Sequence, residues 1–239
     1  MLCYPNVRGE LETLERVCAG ASIGRYGDGE LKLMLGRDCV SQRADPKLQR
    51  ELCDLLYMKE TTALMGIPTL DKRSPKYGNW EKLSHKFCTF LRPEREYYSA
   101  FISRPDSAPW TNTPEFFDMV EGLWKGQAVV FVGNNERSLK KEFLLQTGAT
   151  KVTWVPCPYR DAYTAINRIE REVMELEAQR VILCAGPTAT CLAERLAKKG
   201  KHAIDLGHIG MFWRRYEEIP NWKEQREINA ATGTVEKNP

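Results

Sequence analysis

The sequence has little of what metal centres, disulfide scaffolds and membrane spans require. It contains only three histidines, and none of its eight cysteines pairs with another in a C-x-x-C spacing. These features argue against a zinc site and favour reduced cysteines that pack as small apolar side chains. No apolar run approaches the roughly 20 residues that span a bilayer, and charged residues interrupt the region where a signal peptide would be apolar. We therefore expect a cytoplasmic protein with no integral membrane association.

Charge of one sign is also scarce, because 35 basic residues against 32 acidic ones leave a net charge of only +3. This balance demands neither a nucleic-acid nor a lipid partner. Neither G-x-x-x-x-G-K-[ST] nor G-x-G-x-x-G occurs, so no P-loop or standard dinucleotide-binding fold is indicated. A chain of 239 residues is long enough for one sizeable core. We predict a single domain over residues 1–239, with a partly flexible polar tail from about residue 221.

Short apolar stretches alternate with helical patterns throughout the second half of the chain. This alternation predicts strands at residues 127–133, 151–155, 180–185 and 202–206, and helices at residues 136–146, 161–178 and 188–199. The first half is less regular, with strands predicted near residues 22–26 and 62–67 and helices at residues 28–35, 46–59, 80–91 and 114–124. Such alternation builds right-handed βαβ units. We therefore expect an α/β fold with a Rossmann-like, mostly parallel sheet and helices on both faces.

A glycine-flanked pair of carboxylates follows the first predicted strand. Asp28 and Glu30 are two residues apart, so both face the same side if the backbone is extended. Gly27 and Gly29 remove side chains that would block a close approach, and Arg25 offers a planar donor fork that suits phosphate. Acids and an arginine at a strand end indicate a divalent cation and a phosphorylated substrate. A solvated turn is the alternative explanation of the same residues.

Two further loops at predicted strand ends have the composition of ligand-binding loops. In an open parallel sheet, ligands bind beyond the carboxyl ends of the strands. The loop at residues 186–190 combines a glycine turn with free backbone N–H groups at a helix N-terminus, which favours an anion; plain N-capping by Thr188 is the alternative. The loop at residues 133–138 also opens a helix and could hold a base, ribose or phosphate. The candidate binding residues here are Gly133, Asn134, Ser138, Gly186, Pro187, Thr188 and Thr190.

Two further segments are candidates for function, namely the strand end at residues 205–208 and the loop at residues 68–79. Asp205 and His208 share a strand end, where a carboxylate near imidazole raises its basicity and could orient a proton acceptor. A structural hydrogen-bonding role for His208 is the alternative. Residues 68–79 form a polar loop of a length that usually accompanies function.

Four spaced motifs together resemble one known family. They are Arg-x-Gly-Asp-Gly-Glu at residues 25–30, Gly-Ile-Pro at 66–68, Gly-Pro-Thr-Ala-Thr at 186–190 and Ala-Ile-Asp-Leu-Gly-His at 203–208. In this order they resemble the bacterial and phage glycosyltransferases of GT-D type, a family long described as a domain of unknown function. The resemblance extends from about residue 20 to about residue 213.

The resemblance implies an enzyme that uses a nucleotide-diphosphate sugar, with UDP as the expected nucleotide. Asp28 and Glu30 would form its D-x-E motif and bind Mn²⁺ or Mg²⁺, and Arg25 would share the charge of the diphosphate. The base that deprotonates the acceptor hydroxyl would be Glu30, Asp205 or His208. The expected acceptor is a glycan or a glycoprotein.

The chain departs from the family pattern at two places, and other functions stay open. Asp161 stands where the family tends to have asparagine, and residues 209–215 replace an acidic, tyrosine-rich segment. Both changes concern the sugar or the acceptor rather than the reaction. One alternative is transfer to a modified base in phage DNA, which the aromatic and basic residues 213–216 permit. Others are a non-catalytic nucleotide-sugar binding module and a nicotinamide oxidoreductase.

Overall fold

The computed structural model of the chain describes residues 4–134 and 140–209. Within these residues, seven strands form one parallel sheet. They are β1 (Ile23–Arg25), β2 (Leu64–Ile67), β3 (Tyr98–Ser99), β4 (Ala128–Gly133), β5 (Lys151–Pro156), β6 (Arg180–Cys184) and β7 (His202–Asp205). Their order across the sheet is β3-β2-β1-β7-β6-β4-β5, which places the first and last strands side by side at its centre. The predicted parallel α/β architecture is confirmed.

Helices cover both faces of this sheet. They are α1 (Glu10–Cys18), α2 (Asp28–Met34), α3 (Pro46–Tyr57), α4 (Tyr77–Cys88), α5 (Pro114–Gly122), α6 (Lys141–Gln146), α7 (Ile166–Met174) and α8 (Pro187–Ala197). Alternate residues of β4 enter opposite cores: Val130 and Val132 pack with α2, α3, α7 and α8, whereas Val129 and Phe131 pack with α1 and α5. A strand buried on both faces is expected to be apolar throughout, as this one is.

Several elements start or end differently from the prediction. The predicted helix at residues 161–178 is divided into a 3₁₀ turn at Ala162–Ala165 and α7, and it begins after Asp161, whose φ of 54° lies in the left-handed region. Helix α1 and the two-residue strand β3 were not predicted. The predicted start of the helix at residue 136 and the flexible tail lie outside the described residues. No helix in the described part of the chain has the length and apolar character to cross a bilayer.

A buried glutamate joins helix α8 to the start of β2. Glu194 is 2% exposed, and its carboxylate accepts hydrogen bonds from the backbone N–H of Thr62 at 3.1 Å and of Ala63 at 2.7 Å. The Nζ atom of Lys198 lies 3.3 Å from the same carboxylate but is largely exposed. The backbone donors before β2 therefore depend on one side chain from a distant helix.

We expect Glu194→Ala to lower the free energy of unfolding by about 2–4 kcal/mol, because it leaves the buried amide of Ala63 without an acceptor. Urea denaturation monitored by circular dichroism measures the loss. The matched variant Lys198→Ala removes only the exposed partner, so its cost should stay below about 1 kcal/mol. Equal losses in the two variants would contradict this account of the contact.

Candidate active site

A cleft of about 580 Å³ opens at the carboxyl ends of the central strands. The chain leaves β1 and β7 here, and the loops from β3 and β5 form the opposite walls. Nine of the predicted site residues line it, namely Arg25, Gly27, Asp28, Gly29, Glu30, Gly186, Pro187, Asp205 and His208. This is the location at which open parallel sheets bind ligands.

The two carboxylates of the D-x-E motif lie in the first turn of α2, not in extended backbone. Successive helical residues are about 100° apart, so the condition under which Asp28 and Glu30 were expected to face the same side, an extended backbone, is not met. Both nevertheless line the cleft. The Asp28 side chain is 65% exposed and one of its oxygens lies 2.9 Å from Nζ of Lys32. Asp28 therefore offers its carboxylate to a ligand from the rim of the cleft.

Glu30 points back along its own helix. Its Oε2 atom accepts a hydrogen bond of 2.7 Å from the backbone N–H of Gly27, the N-cap residue of α2. Burial raises the pKa of Glu30 to about 7, and the negative charges of Asp205 and Asp28 act in the same direction. A carboxylate with such a pKa can exchange a proton near neutral pH.

Arg25 is held by the protein on several sides. Its Nη1 atom donates to the carbonyl of Ala100 at 2.8 Å and to Oγ of Ser103 at 2.7 Å, and Nη2 lies 3.4 Å from Oδ1 of Asp205. A Cβ atom on Gly207, whose φ is +53°, would come within 2.5 Å of Nη2. Most of the donor fork is thus committed to protein acceptors, which favours a positioning role over the predicted phosphate contact.

Asp205 and His208 have different capacities to accept a proton. Asp205 is 4% exposed, and its oxygens accept from the backbone N–H groups of Arg25 at 3.1 Å and of Gly207 at 3.0 Å. Burial raises the pKa of Asp205, whereas the charge of Arg25 opposes that shift. His208 is an exposed residue that lines the cleft, yet desolvation by the atoms around it lowers its pKa, and Arg25 adds to the shift. A neutral imidazole at the rim can accept a proton directly.

The predicted anion loop contributes fewer residues than expected. Gly186 is the N-cap of α8, and with its φ of +56° it lines the cleft together with Pro187. The side chains of Thr188 and Thr190 are fully buried. The Thr190 hydroxyl donates to the carbonyl of Arg25 at 2.8 Å, and the Thr188 hydroxyl has no partner among the described residues. The two threonines thus lie behind the cleft wall.

The predicted loop after β4 does not reach the cleft with its described residues. The carbonyl of Gly133 accepts a hydrogen bond of 2.8 Å from the indole of Trp154, and Gly133 and Asn134 are not part of the described cleft lining. Ser138 lies outside the described residues. Strand β4 is separated from β1 by β6 and β7, so the loop that follows β4 begins two strands away from the centre of the cleft.

The opposite wall holds three charged residues, of which Lys76 lies in the predicted functional loop at residues 68–79 and Arg104 and Asp106 were not predicted. Asp106 lies 2.7 Å from Nζ of Lys76 and 2.8 Å from Nε of Arg104, and all three line the cleft. Burial works against ionisation, but hydrogen bonds from Arg104 and Lys76 hold the pKa of Asp106 at about 2. Arg104 and Asp106 follow the two-residue strand β3 in an irregular segment, so no periodic pattern marks them.

A turn at residues 39–42 completes the rim. Its Ser41 and the aromatic Tyr159 line the cleft, and Asp161 holds the turn in place. One Asp161 oxygen accepts from the backbone N–H of Arg43 at 2.8 Å, and the Asp161 amide donates to the carbonyl of Ser41 at 2.9 Å. The departure from the family pattern at residue 161 therefore concerns a residue that shapes the wall.

The donor set of the cleft suits a hard divalent cation only in part. Asp28 and Glu30 offer carboxylate oxygens, which Mg²⁺ and Mn²⁺ prefer. No group of three or more His, Cys, Asp or Glu residues that could hold a metal exists in the part of the chain that the structure describes. The residues fit a cation that takes its remaining ligands from water or from the oxygens of a bound phosphate.

Comparison with known proteins identifies relatives over most of the chain. A family model described as "Glycosyltransferase GT-D fold" matches residues 23–230. The chain is 34% identical over 203 residues to a Streptococcus gordonii protein named "Probable glycosyl transferase Gly", and 26% identical over 217 residues to "Glycosyltransferase GlyD" of Streptococcus pneumoniae serotype 4. These matches cover 80% and 85% of this chain but only 30% and 26% of the relatives. The chain thus spans less than a third of the length of these relatives.

Solved structures of similar fold are also described as glycosyltransferases. One, titled "The highly conserved domain of unknown function 1792 has a distinct glycosyltransferase fold", matches with a TM-score of 0.79 and 29% identity. That match covers 92% of this chain and 84% of the other. Another, titled "A New Glycosyltransferase (DUF1792) from Streptococcus sanguinis", matches with a TM-score of 0.77 and 26% identity over 91% and 86% of the two chains.

Proposed function

Because the chain belongs to the GT-D glycosyltransferase family, we propose that it transfers a sugar from a nucleotide-diphosphate sugar, with UDP as the nucleotide, to an acceptor hydroxyl on a glycan or glycoprotein. The observation that carries this proposal is the meeting of Asp28 and Glu30 with the N-termini of α2 and α8 in one cleft. Carboxylates for a cation and backbone N–H groups for a phosphate are the two requirements of a diphosphate site.

The diphosphate would lie between the start of α8 and the opposite wall. Pro187 at the start of α8 has no N–H, and the N–H of Ala189 donates to the carbonyl of Gly186, so the predicted cradle of free N–H groups is not formed there. The helix dipole still favours negative charge beside Gly186, which lines the cleft. Lys76 and Arg104 face this position, but both are paired with Asp106. Since the charges of the cleft are largely neutralised by one another, the charge of the diphosphate calls for an added cation.

Asp28 and Glu30 would hold that cation, Mn²⁺ or Mg²⁺. When bound, the cation neutralises the negative charge that develops on the departing nucleotide diphosphate. Asp28 supplies a solvent-accessible carboxylate, and Glu30 supplies a second one whose position is fixed by the amide of Gly27. Arg25 keeps Asp205 and the floor of the cleft in place.

His208 is the residue that best suits the acceptor side of the reaction. It is an exposed residue that lines the cleft, where an acceptor hydroxyl can approach, and its lowered pKa favours the neutral imidazole. The oxygens of Asp205 are engaged by the amides of Arg25 and Gly207, which argues against Asp205 as the base. We assign proton acceptance to His208, because Glu30 is assigned to the cation.

The proposal predicts that the purified protein releases free nucleotide from one nucleotide-sugar when Mn²⁺ is present, since glycosyltransferases often hydrolyse their donor slowly without acceptor. A panel of UDP- and GDP-sugars, read by free UDP or GDP, identifies the donor. Chelation with EDTA should stop the release, and renewed Mn²⁺ should restore it. A panel without release and without a thermal shift from any nucleotide-sugar would contradict the proposal. Thermal shifts without turnover, with or without candidate acceptors, would indicate a binding module instead.

A further inference from the structure

A second cleft, of about 1130 Å³, lies beside the first and is larger. One wall is the N-terminal segment from Tyr4 to the first turn of α1, and the other is the start of the polar loop at residues 68–79. Trp110 closes one end. The volume is slightly above the roughly 300–1,000 Å³ that is usual for ligand pockets, so it leaves room for a ligand of several rings.

The floor of this second cleft is a buried carboxylate. Glu10 is 3% exposed, and its Oε1 atom accepts from the hydroxyls of Thr69 at 2.8 Å and Ser99 at 3.0 Å. Its Oε2 atom accepts from the indole N–H of Trp110 at 2.8 Å. All three donors are neutral, and Glu10 takes part in no ion pair with the residues that the structure describes. Glu10 thus holds Thr69, Ser99 and Trp110 in fixed positions at this cleft.

The remaining lining carries charges of both signs beside aromatic surface. Arg73 donates from Nε to Oδ1 of Asp71 at 3.0 Å and from Nη2 to Oδ2 at 2.6 Å, and its guanidinium carbon lies 4.6 Å from the centre of the Trp110 ring. With Glu10, Glu12 and Lys72 also in the lining, acidic groups outnumber basic ones by three to two. This balance disfavours phosphate-rich polymers, whose binding requires an excess of positive charge. Hydroxyl oxygens that can still accept, planar amphipathic rings and mixed charge suit a neutral polyhydroxyl ligand.

The two clefts share a wall. Lys76 lines the first cleft, whereas Thr69 and Arg73 line the second, and all three belong to the same loop. Ser74 fixes this loop by donating a hydrogen bond to the carbonyl of Ser107. Along the chain, Ser107 lies between Asp106, which lines the first cleft, and Trp110, which lines the second. A chain of sugar rings in the second cleft would therefore have one end directed towards the first.

The two clefts are lined by different functional groups. The first holds Asp28, Glu30 and His208, whereas the second holds Glu10, Arg73 and Trp110. We propose that the second cleft binds a neutral oligosaccharide that serves as the acceptor, which gives the proposed function its substrate class and rests on it. Sugar transfer then takes place in the first cleft, and the second cleft determines which acceptor is bound.

The experiment uses a variant that blocks the cleft without removing a contact. Leu11 is 40% exposed and lines the cleft, so Leu11→Trp should obstruct it. Leu145→Trp is the matched control, because Leu145 is 45% exposed on a helix elsewhere. Trp110→Ala is less suitable, since it would leave Glu10 without its indole donor. The melting temperatures of both variants verify the fold.

Binding is read by saturation-transfer NMR with cellotriose, maltotriose and N,N′,N″-triacetylchitotriose, without any nucleotide-sugar. We expect at least one trisaccharide to bind, Leu11→Trp to weaken it about tenfold or more, and Leu145→Trp to leave it unchanged. No binding by any of them, or equal binding to both variants, would overturn the inference. So would cleft-dependent binding of a single-stranded DNA oligonucleotide in place of a saccharide. Because no donor is present, failure here is distinct from failure of the donor panel.

Discussion

Asp28→Asn is expected to slow the release of nucleotide from the donor at least about 10³-fold. Asparagine keeps the size of the side chain but lacks the negative charge that a divalent cation needs. The fold should remain, because the pair with Lys32 that the substitution weakens is solvent-exposed and contributes less than about 1 kcal/mol. Initial rates of nucleotide release at saturating Mn²⁺, with the identified donor, measure the effect.

Asp38→Asn is the matched control for this variant. Asp38 is exposed, lies ten residues further along the chain, and its Oδ1 accepts a hydrogen bond of 2.8 Å from the backbone of Ala44. The same chemical change therefore occurs close by but outside the described lining of the cleft. The control should keep its rate within about twofold of the unmodified protein. A rate for Asp28→Asn within tenfold of the control would remove Asp28 from the proposed cation site.

Glu30→Gln is expected to reduce turnover about 10²-fold or more while making the metal-free protein more stable at alkaline pH. The activity falls because the cleft loses its second carboxylate. The stability rises because the folded-state pKa of Glu30, about 7, lies above its ordinary value of 4.5. Between these values the folded protein retains a proton that the unfolded chain has lost. Ionised Glu30 thus destabilises the fold progressively as the pH rises from about 4.5 through 7.

Glutamine carries no such charge, so the variant should exceed the unmodified protein by roughly 2–3 kcal/mol at pH 8 and by much less at pH 5. Urea denaturation at the two pH values, with EDTA present, measures the difference. Glu15→Gln, at an exposed position of α1, serves as the control and should show no such trend. A stability difference that does not grow with pH would show that burial does not raise the pKa of Glu30.

The order of elements and the edge of the sheet that carries the cleft follow from the sequence. Each of the long apolar strands and its following glycine or polar loop was predictable, because parallel strands have a strong pattern and end at one edge. Strand β3 was not predictable, since two residues cannot show a period. Arg104 and Asp106 follow that strand and were missed with it.

The behaviour of Arg25 could not be predicted for a different reason. Its partner Asp205 is 180 residues away, and only the pairing of β1 with β7 brings them together. Local sequence reveals an arginine at a strand end but not which acceptors it will find. The same holds for Asp161, whose contact with Arg43 joins two loops separated by 118 positions.

The glycines around Arg25 restrict which positions of the cleft can be substituted when the preferred sugar changes. A Cβ atom on Gly24 would lie 2.8 Å from the carbonyl oxygen of Thr190, and one on Gly66 would lie 3.2 Å from Cγ of Arg25, besides the clash already noted at Gly207. A larger residue is therefore strongly disfavoured at Gly24, where it meets backbone, and at Gly207, whose φ is +53°, whereas at Gly66 it requires the neighbouring atoms to shift slightly. We expect variation in the preferred sugar at rim positions such as Ser41 and Tyr159, where a mutant library aimed at new donors should begin.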